Sequence, residues 1–408
     1  MHIAVLGGGL QGCCIALVLA RRGATVDLFD CNPSLLSRAA VANEGKIHLG
    51  YMYAGDPSLL TAGMMMRGAL IFAPFFARHL DMPVDDIARS DPAVYLVHRE
   101  SQRPVEQVAD YFSQVHVMVR EAADGRNGAY FGAEFQSGLR RWSDDERRAE
   151  FGPAVLAAFD TPEIAIDPVD LARRLRDRIA ADPRIRLHLR HTVRSVEDDA
   201  GRLAVVSESS TGGCRERYDQ VVNALWDGQF AIDERRGHRP GRPWLHRLKY
   251  GVSFRRPAAL RPKSVTVVLG PFGEVVTFRS GMTYLTWYPA CMQGFSGDVT
   301  PPPWRVYPEE PEEPRRSRLI EDTLAALTEL VPALRGLDRA DMSEVSVKGG
   351  VIVAWGATDI DDPKSELHRR FEIGVTSAGR YHTVNPGKLT MAPYFAESCA
   401  DRIVCVPG

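Results

Sequence analysis

The sequence predicts an α/β protein in which a parallel sheet is joined to a second domain. Three observations carry this. The chain opens on an aliphatic run, a glycine-rich turn, a helical stretch and a second run ending in an acid. A helix-then-strand unit recurs at residues 167–196, and short strand-like runs broken by Pro and Gly fill residues 240–300. The 408 residues, 45% hydrophobic and 25% charged, have an ordinary globular composition. The length corresponds to roughly two to three domains.

The first unit is the most informative. Residues 2–6 form a β-branched and aliphatic run that reads as a buried strand. Gly7-Gly8-Gly9-Leu10-Gln11-Gly12 follows, and Cys13 to Arg22 reads as a helix stopped by Gly23. A second strand, Thr25 to Phe29, ends at Asp30. Gly7 permits the tight turn, Gly9 lets the backbone approach a pyrophosphate, and Gly12 lets helix and strand pack closely. Leu10 and Gln11 lie at the helix N-terminus, whose free N–H groups and positive dipole end suit that pyrophosphate. Asp30 stands 18 residues past Gly12, placed to accept hydrogen bonds from a ribose hydroxyl. An acid there disfavours a 2′-phosphate and argues against NADP. The glycine pattern alone does not separate NAD from FAD.

Residues 7–30, with Ala16, Leu19-Ala20-Arg21-Arg22-Gly23, Val26 and Asp30, resemble the N-terminal signature of the D-amino-acid-oxidase-like FAD superfamily. That family usually carries Glu at the last position. Three later segments resemble it in the same order. Asp167-Pro168 opens a helix to about Ala181, followed by a strand at 185–189 and the stretch Thr192-Val193. Tyr218 to Ala224, including Asn223, resembles the strand that returns under the cofactor. Tyr381 to Thr390, with Gly387, Lys388, Leu389 and Thr390, resembles the loop and helix start that face the flavin. The resemblance implies FAD, held without a covalent bond, and a Rossmann-like FAD-binding domain made of 1–80, 163–230 and 345–408. It implies a substrate domain with an antiparallel β-sheet, from 81–162 and 231–344. Cys291 raises covalent attachment as an alternative, because some relatives tether FAD through a cysteine.

Residues 42–53 are polar, punctuated by glycine and then aromatic, and follow Ser37-Arg38. The stretch is similar to one in FAD-dependent L-2-hydroxyglutarate dehydrogenase and, more loosely, glycerol-3-phosphate dehydrogenase. The similarity implies that Arg38, Asn43, Glu44 and Gly45 contact the cofactor. It also implies that His48 faces the substrate, where a His can take the heteroatom proton. His48 is alternatively a brace for the loop. Lys46 either binds an anionic substrate or a flavin oxygen, or is merely solvated. Glu44 has the same ambiguity.

Many members of this superfamily bind a substrate carboxylate with an Arg on a strand in the C-terminal third. The comparable strand here, Gly349 to Trp355, has none. Arg279, Lys348, Lys388 and His382 remain as alternative anchors. The acidic turn 358–363 reads as a solvated loop, and the proline-rich stretch 301–314 as a surface connection.

The 50 Lys and Arg against 52 Asp and Glu argue against a nucleic-acid or anionic-membrane partner. No uninterrupted apolar run approaches the ~18 residues of a membrane span. Seven cysteines without a Cys-x-x-Cys suggest reduced thiols and a cytoplasmic location. The N-terminus reads as a strand, so no signal peptide is expected. The expected activity is hydride transfer from a CH–OH carbon of a small polar metabolite to flavin N5, with O2 or another electron acceptor reoxidising the flavin. The alternatives are CH–NH oxidation of an amine or amino acid, an NAD-dependent dehydrogenase, and a non-catalytic flavin-binding partner. No metal site is expected.

Overall fold

The first strand, His2–Leu6, lies between Gln220–Asn223 and Thr25–Asp30 and runs parallel to both. A computed structural model describes residues 1–124, 130–133, 135 and 137–404. Cys405 lies outside the described residues, and the other six cysteines are free. The sheet built on the first strand has six members. Their order is Gly374–Ala378, Tyr381–Asn385, Gln220–Asn223, His2–Leu6, Thr25–Asp30 and Ile185–Leu189. Only the first two pair antiparallel.

Both faces of this sheet are covered, which explains the unbroken aliphatic reading of its strands. Successive side chains alternate between faces. Ile3 and Val5 pack beneath the helices Leu10–Arg21, Pro168–Ala180 and Ala392–Val404. Ala4 and Leu6 pack instead against a three-stranded antiparallel sheet, Thr192–Asp199, Arg202–Ser209 and Gly212–Tyr218. Asp167 caps its helix as expected, accepting hydrogen bonds from the Val169 and Asp170 N–H groups.

The second large sheet runs Met292–Ser296, Trp244–Arg255, Met282–Trp287, Gly273–Thr277, Val265–Val268, Val94–His98, Val155–Asp160 and Arg140–Arg141. Helix Arg315–Leu330 covers part of one face. The expected antiparallel sheet is thus observed with one exception, since Val265–Val268 pairs parallel with Val94–His98. Ser343–Trp355 pairs along Trp244–Arg255 and belongs to this second sheet. The domain boundary read at residue 345 therefore falls inside a strand. A continuous aliphatic run marks a buried strand but not which sheet it joins.

The helix Leu60–Leu80 starts after a turn in which Asp56 accepts hydrogen bonds from Ser58 and Thr61. By length and composition, Leu60–Leu80 is apolar enough to cross a membrane. Here it is a core helix, with Met65, Phe72 and Phe76 fully buried.

Candidate active site

A cleft of about 910 Å³ is lined by residues of both large sheets and their loops. Its lining includes Gly7, Gly9, Leu10, Gln11 and Asp30. Gly7 has φ +102°, and a Cβ there would stand 2.5 Å from the Ala224 carbonyl oxygen. A Cβ on Gly12 would stand 1.8 Å from the Gly7 oxygen, so Gly12 holds the turn against the helix and does not line the cleft. Gly9 is different, because no chain atom lies within 4 Å of its missing Cβ. Helix Leu10–Arg21 has no side-chain cap and no acid in its first turn, which leaves its N–H groups for an anion. Asp30 Oδ2 accepts from the Gly8 N–H at 2.9 Å, and Oδ1 accepts from Asn32.

The other expected cofactor residues divide in two. Arg38, Asn43, Glu44, Val193, Ala224, Gly387, Lys388 and Leu389 line the cleft. Arg38 is also paired with Asp227 at 3.1 Å. Gly45, Asn223 and Thr390 do not line it. Gly45 has φ +75° and packs its Cα against the Ile166 carbonyl. Asn223 is fully buried and donates to the Gln229 oxygen, Asp233 and Tyr381. Thr390 Oγ1 accepts from the His48 N–H and donates to the Lys46 oxygen, so it ties the two loops together.

In the same cleft, His48 is 2% exposed. Its Nδ1 lies 3.3 Å from Glu163 Oε2. Its Nε2 has no hydrogen-bond partner among the described residues and lies 4.0 Å from Glu44. Glu163 is fully buried and saturated. It accepts from the Leu49 and Gly50 N–H groups at 2.7 and 3.1 Å, and from the Tyr95 hydroxyl. Burial alone would raise the Glu163 carboxyl. Hydrogen bonding and charge from His48, the Tyr95 hydrogen bond and the Lys46 ammonium hold it below the ordinary carboxylate value. A carboxylate on Nδ1 favours the tautomer with the proton there, leaving the Nε2 lone pair toward the cleft.

Lys46 is not solvated. It is buried, 2.9 Å from Glu274 Oε2 in an ion contact without hydrogen-bond alignment, and its ammonium lies 5.3 Å from the centre of the Tyr95 ring. Glu44 is held down to about 2: burial opposes this, and Lys388, Lys249 and His48 outweigh it. Lys388 is pushed down to about 8, first by burial, with Arg370 and Lys249 adding and Glu44 opposing.

The expected anchors mostly lie elsewhere. Arg279 is exposed and pairs with Asp91. Lys348 is buried over the Tyr307 ring, and His382 is buried between Gln220 and Ser377. Of the four, only Lys388 reaches the cleft. Instead, cations not singled out from the sequence line it, among them Arg247, Lys249 and Arg370. Arg247 stands opposite Ile352, on the strand beside the one where an Arg was sought. Its Nε donates to Asp359 at 3.0 Å, and Asp359 also accepts from Tyr288. The acidic turn is therefore a brace rather than a solvated loop at Asp359. Arg247 and Lys249 are two apart on one strand and share its face, a signal the sequence did contain. The proline-rich stretch likewise departs from expectation, since Thr300 to Trp304 line the cleft. Cys291 lies against Thr323 and away from the cleft, so the structure gives it no reach to a cofactor.

The family model for FAD dependent oxidoreductases (DAO) matches residues 2–402. The chain belongs to this family. FAD is therefore its cofactor, and the NAD-dependent alternative falls away. No curated protein matches it in sequence. Among solved structures, glycine oxidase from Geobacillus kaustophilus superposes with a TM-score of 0.67 at 16% identity, covering 100% of this chain and 95% of that one. Iminodiacetate oxidase from Chelativorans sp. BNC1 gives 0.67 and 16%, covering 100% and 96%. L-alpha-glycerophosphate oxidase from Mycoplasma pneumoniae, with FAD bound, gives 0.65 and 17%, covering 99% and 94%. At these identities the likeness is one of fold.

The residues present fit FAD in this DAO fold. Gly9 leaves an open approach, the helix start offers uncapped N–H groups, and Gln11 presents a buried Oε1 without a partner among the described residues. As a DAO-family oxidoreductase, the chain differs from the sequence reading most at Glu163. A lone Glu in the apolar stretch Ile164-Ala165-Ile166 was the available signal.

Proposed function

We propose that this FAD-dependent oxidoreductase oxidises a CH–OH carbon of a small polar metabolite, with His48 as the base. The observation that carries this reading is His48 Nε2, buried, unpartnered among the described residues and lining the cleft, with Glu163 on its Nδ1. FAD, held at Gly9 and the start of helix Leu10–Arg21, would supply the two-electron oxidant. A hydroxyl losing a hydride must also lose its O–H proton, or the product is left as a protonated carbonyl. His48 Nε2 receives this proton, and Glu163 stabilises the resulting imidazolium without taking the proton itself. Arg247, fixed by Asp359 and the Thr358 and Leu245 carbonyls, orients the substrate. The tyrosines Tyr53, Tyr284 and Tyr288 wall the pocket.

A neutral amine carries its own lone pair and needs no base, which is why the His48 arrangement favours an alcohol. The second reading, CH–NH oxidation, draws on neighbours titled glycine oxidase and iminodiacetate oxidase. The glycerophosphate oxidase neighbour is equally similar and supports the first. Six free thiols suit a reducing compartment and keep the cytoplasm as the proposed location. Anaerobic bleaching of the flavin by a hydroxy compound, but not by its amino counterpart, is the test. Bleaching by the amino compound alone would overturn the proposal.

A further inference from the structure

Among the buried polar atoms without a hydrogen-bond partner in the described residues are Lys46 Nζ and Thr266 Oγ1, and both residues line the cleft. Lys46 is 3% and Thr266 1% exposed. Leaving such atoms unpaired is costly, so they mark a place where a ligand group completes the bonding.

The two lie together with a third group. Thr266 stands directly opposite Glu274 on one neighbouring strand and Tyr95 on the other. Side chains so placed share one face of the sheet, with Cβ atoms about 5 Å apart. Lys46 reaches both flanks of this row. Its ammonium is 2.9 Å from Glu274 Oε2 and 5.3 Å from the centre of the Tyr95 ring. Glu274 is buried, lines the cleft and accepts no hydrogen bond among the described residues. Tyr95 donates to Glu163, the carboxylate that holds His48, so these side chains adjoin the base.

The donor set narrows the ligand group. Lys46 and Glu274 offset each other in charge, so the group they receive is neutral. A carboxylate would stand against Glu274, and an ammonium against Lys46. A methyl group would leave Lys46 Nζ and Thr266 Oγ1 unpaired. A hydroxyl has one O–H to donate and two lone pairs to accept. Its proton suits the Glu274 carboxylate, and its lone pairs suit the Lys46 ammonium and the Thr266 hydroxyl.

We infer that Lys46, Glu274 and Thr266 form a subsite for a neutral hydroxyl of the substrate, additional to the group that is oxidised. This rests on His48 marking the reacting carbon, but not on which bond is oxidised.

The test compares compounds that differ by one hydroxyl: glycerate with lactate, serine with alanine, and glycerol with propane-1,2-diol. The FAD-loaded protein is mixed with each anaerobically. Flavin reduction rates are read, and for pairs that do not react, Kd from the flavin absorbance difference. The member with the extra hydroxyl should be favoured by about tenfold or more. Thr266→Val removes the hydroxyl at nearly constant size and keeps the Lys46–Glu274 pair. It should cut that preference several-fold with flavin content retained, and Glu274→Gln should do the same. Equal response within every pair, absence of any response included, or an undiminished preference in both variants would overturn the inference. Loss of flavin from both variants would also overturn it, because the groups would then serve the cofactor. Reduction by serine and alanine with neither hydroxy acid nor glycerol reacting would sink the alcohol proposal alone, and the serine-to-alanine ratio would still decide the subsite.

Discussion

His48 and Glu163 lie 115 residues apart in the chain, and their side chains meet at 3.3 Å beneath the cleft. Glu163 also receives the Leu49 and Gly50 N–H groups, so one carboxylate fixes both the ring and the loop that carries it. The pair converts a loop histidine into an oriented acceptor.

His48→Gln should lower kcat by about 10²–10⁴-fold with the flavin spectrum retained. Glu163→Gln should lower it by about 10–100-fold and alter the pH profile of flavin reduction, because an amide no longer stabilises the imidazolium. Stopped-flow reduction rates across pH check this. A Glu163→Gln protein with full flavin content and an unchanged profile would show that Glu163 only supports the loop.

The glycines of the first turn should behave unequally. Gly12→Ala puts a Cβ 1.8 Å from the Gly7 oxygen, against backbone that cannot yield cheaply, so soluble yield and melting temperature should fall. Gly9→Ala meets no chain atom within 4 Å. It should fold normally and lose FAD affinity, as read from flavin content and a melting curve with and without added FAD. Equal thermal damage in both would contradict the assignment of Gly9 to the cofactor.

How much of this was legible follows from range in sequence. The turn from Gly7 to Gly12 and the acid at Asp30 act within one local unit, so their spacing specified their geometry. Asp167 capping its own helix is the same kind of case. Glu163 and Arg370 meet the site only through tertiary pairing, and no local period marks them. Gly45 and Asn223 were expected at the cofactor because their segments are there, but the side chain or Cα faces the neighbouring backbone. The Arg sought on 349–355 sits instead at Arg247, one strand over, since a strand's residues do not reveal its neighbour.

Lys388, pushed down to about 8 by burial, should make substrate binding pH-dependent. It carries its charge below that pH and loses it as pH rises through it. KM for an anionic substrate should therefore climb above pH about 8. In Lys388→Met the KM should be high throughout, without that rise. Steady-state kinetics from pH 6.5 to 9.5 decide it, and a flat wild-type KM would contradict the role.

Two histidines should make the fold acid-sensitive. His79 packs on Phe75 at a ring separation of 4.3 Å, and His382 is buried against Gln220 and Ser377. Burial pushes both down to about 4. Folded, they stay neutral while the unfolded chain takes up protons below the ordinary histidine value of about 6.5. Stability is thus full above that pH and lost as pH falls toward 4, by up to about 3 kcal/mol for each. Melting temperatures of wild type and His79→Phe between pH 7 and 4.5 should converge on acidification if this holds.

The most direct test of the account is the visible spectrum of the purified protein, recorded anaerobically as matched hydroxy and amino compounds are added. The account predicts a yellow protein whose flavin bands bleach with a hydroxy compound and not with its amine, and bleach far more slowly in His48→Gln. Bleaching by the amine alone, or equal bleaching in His48→Gln, would contradict it.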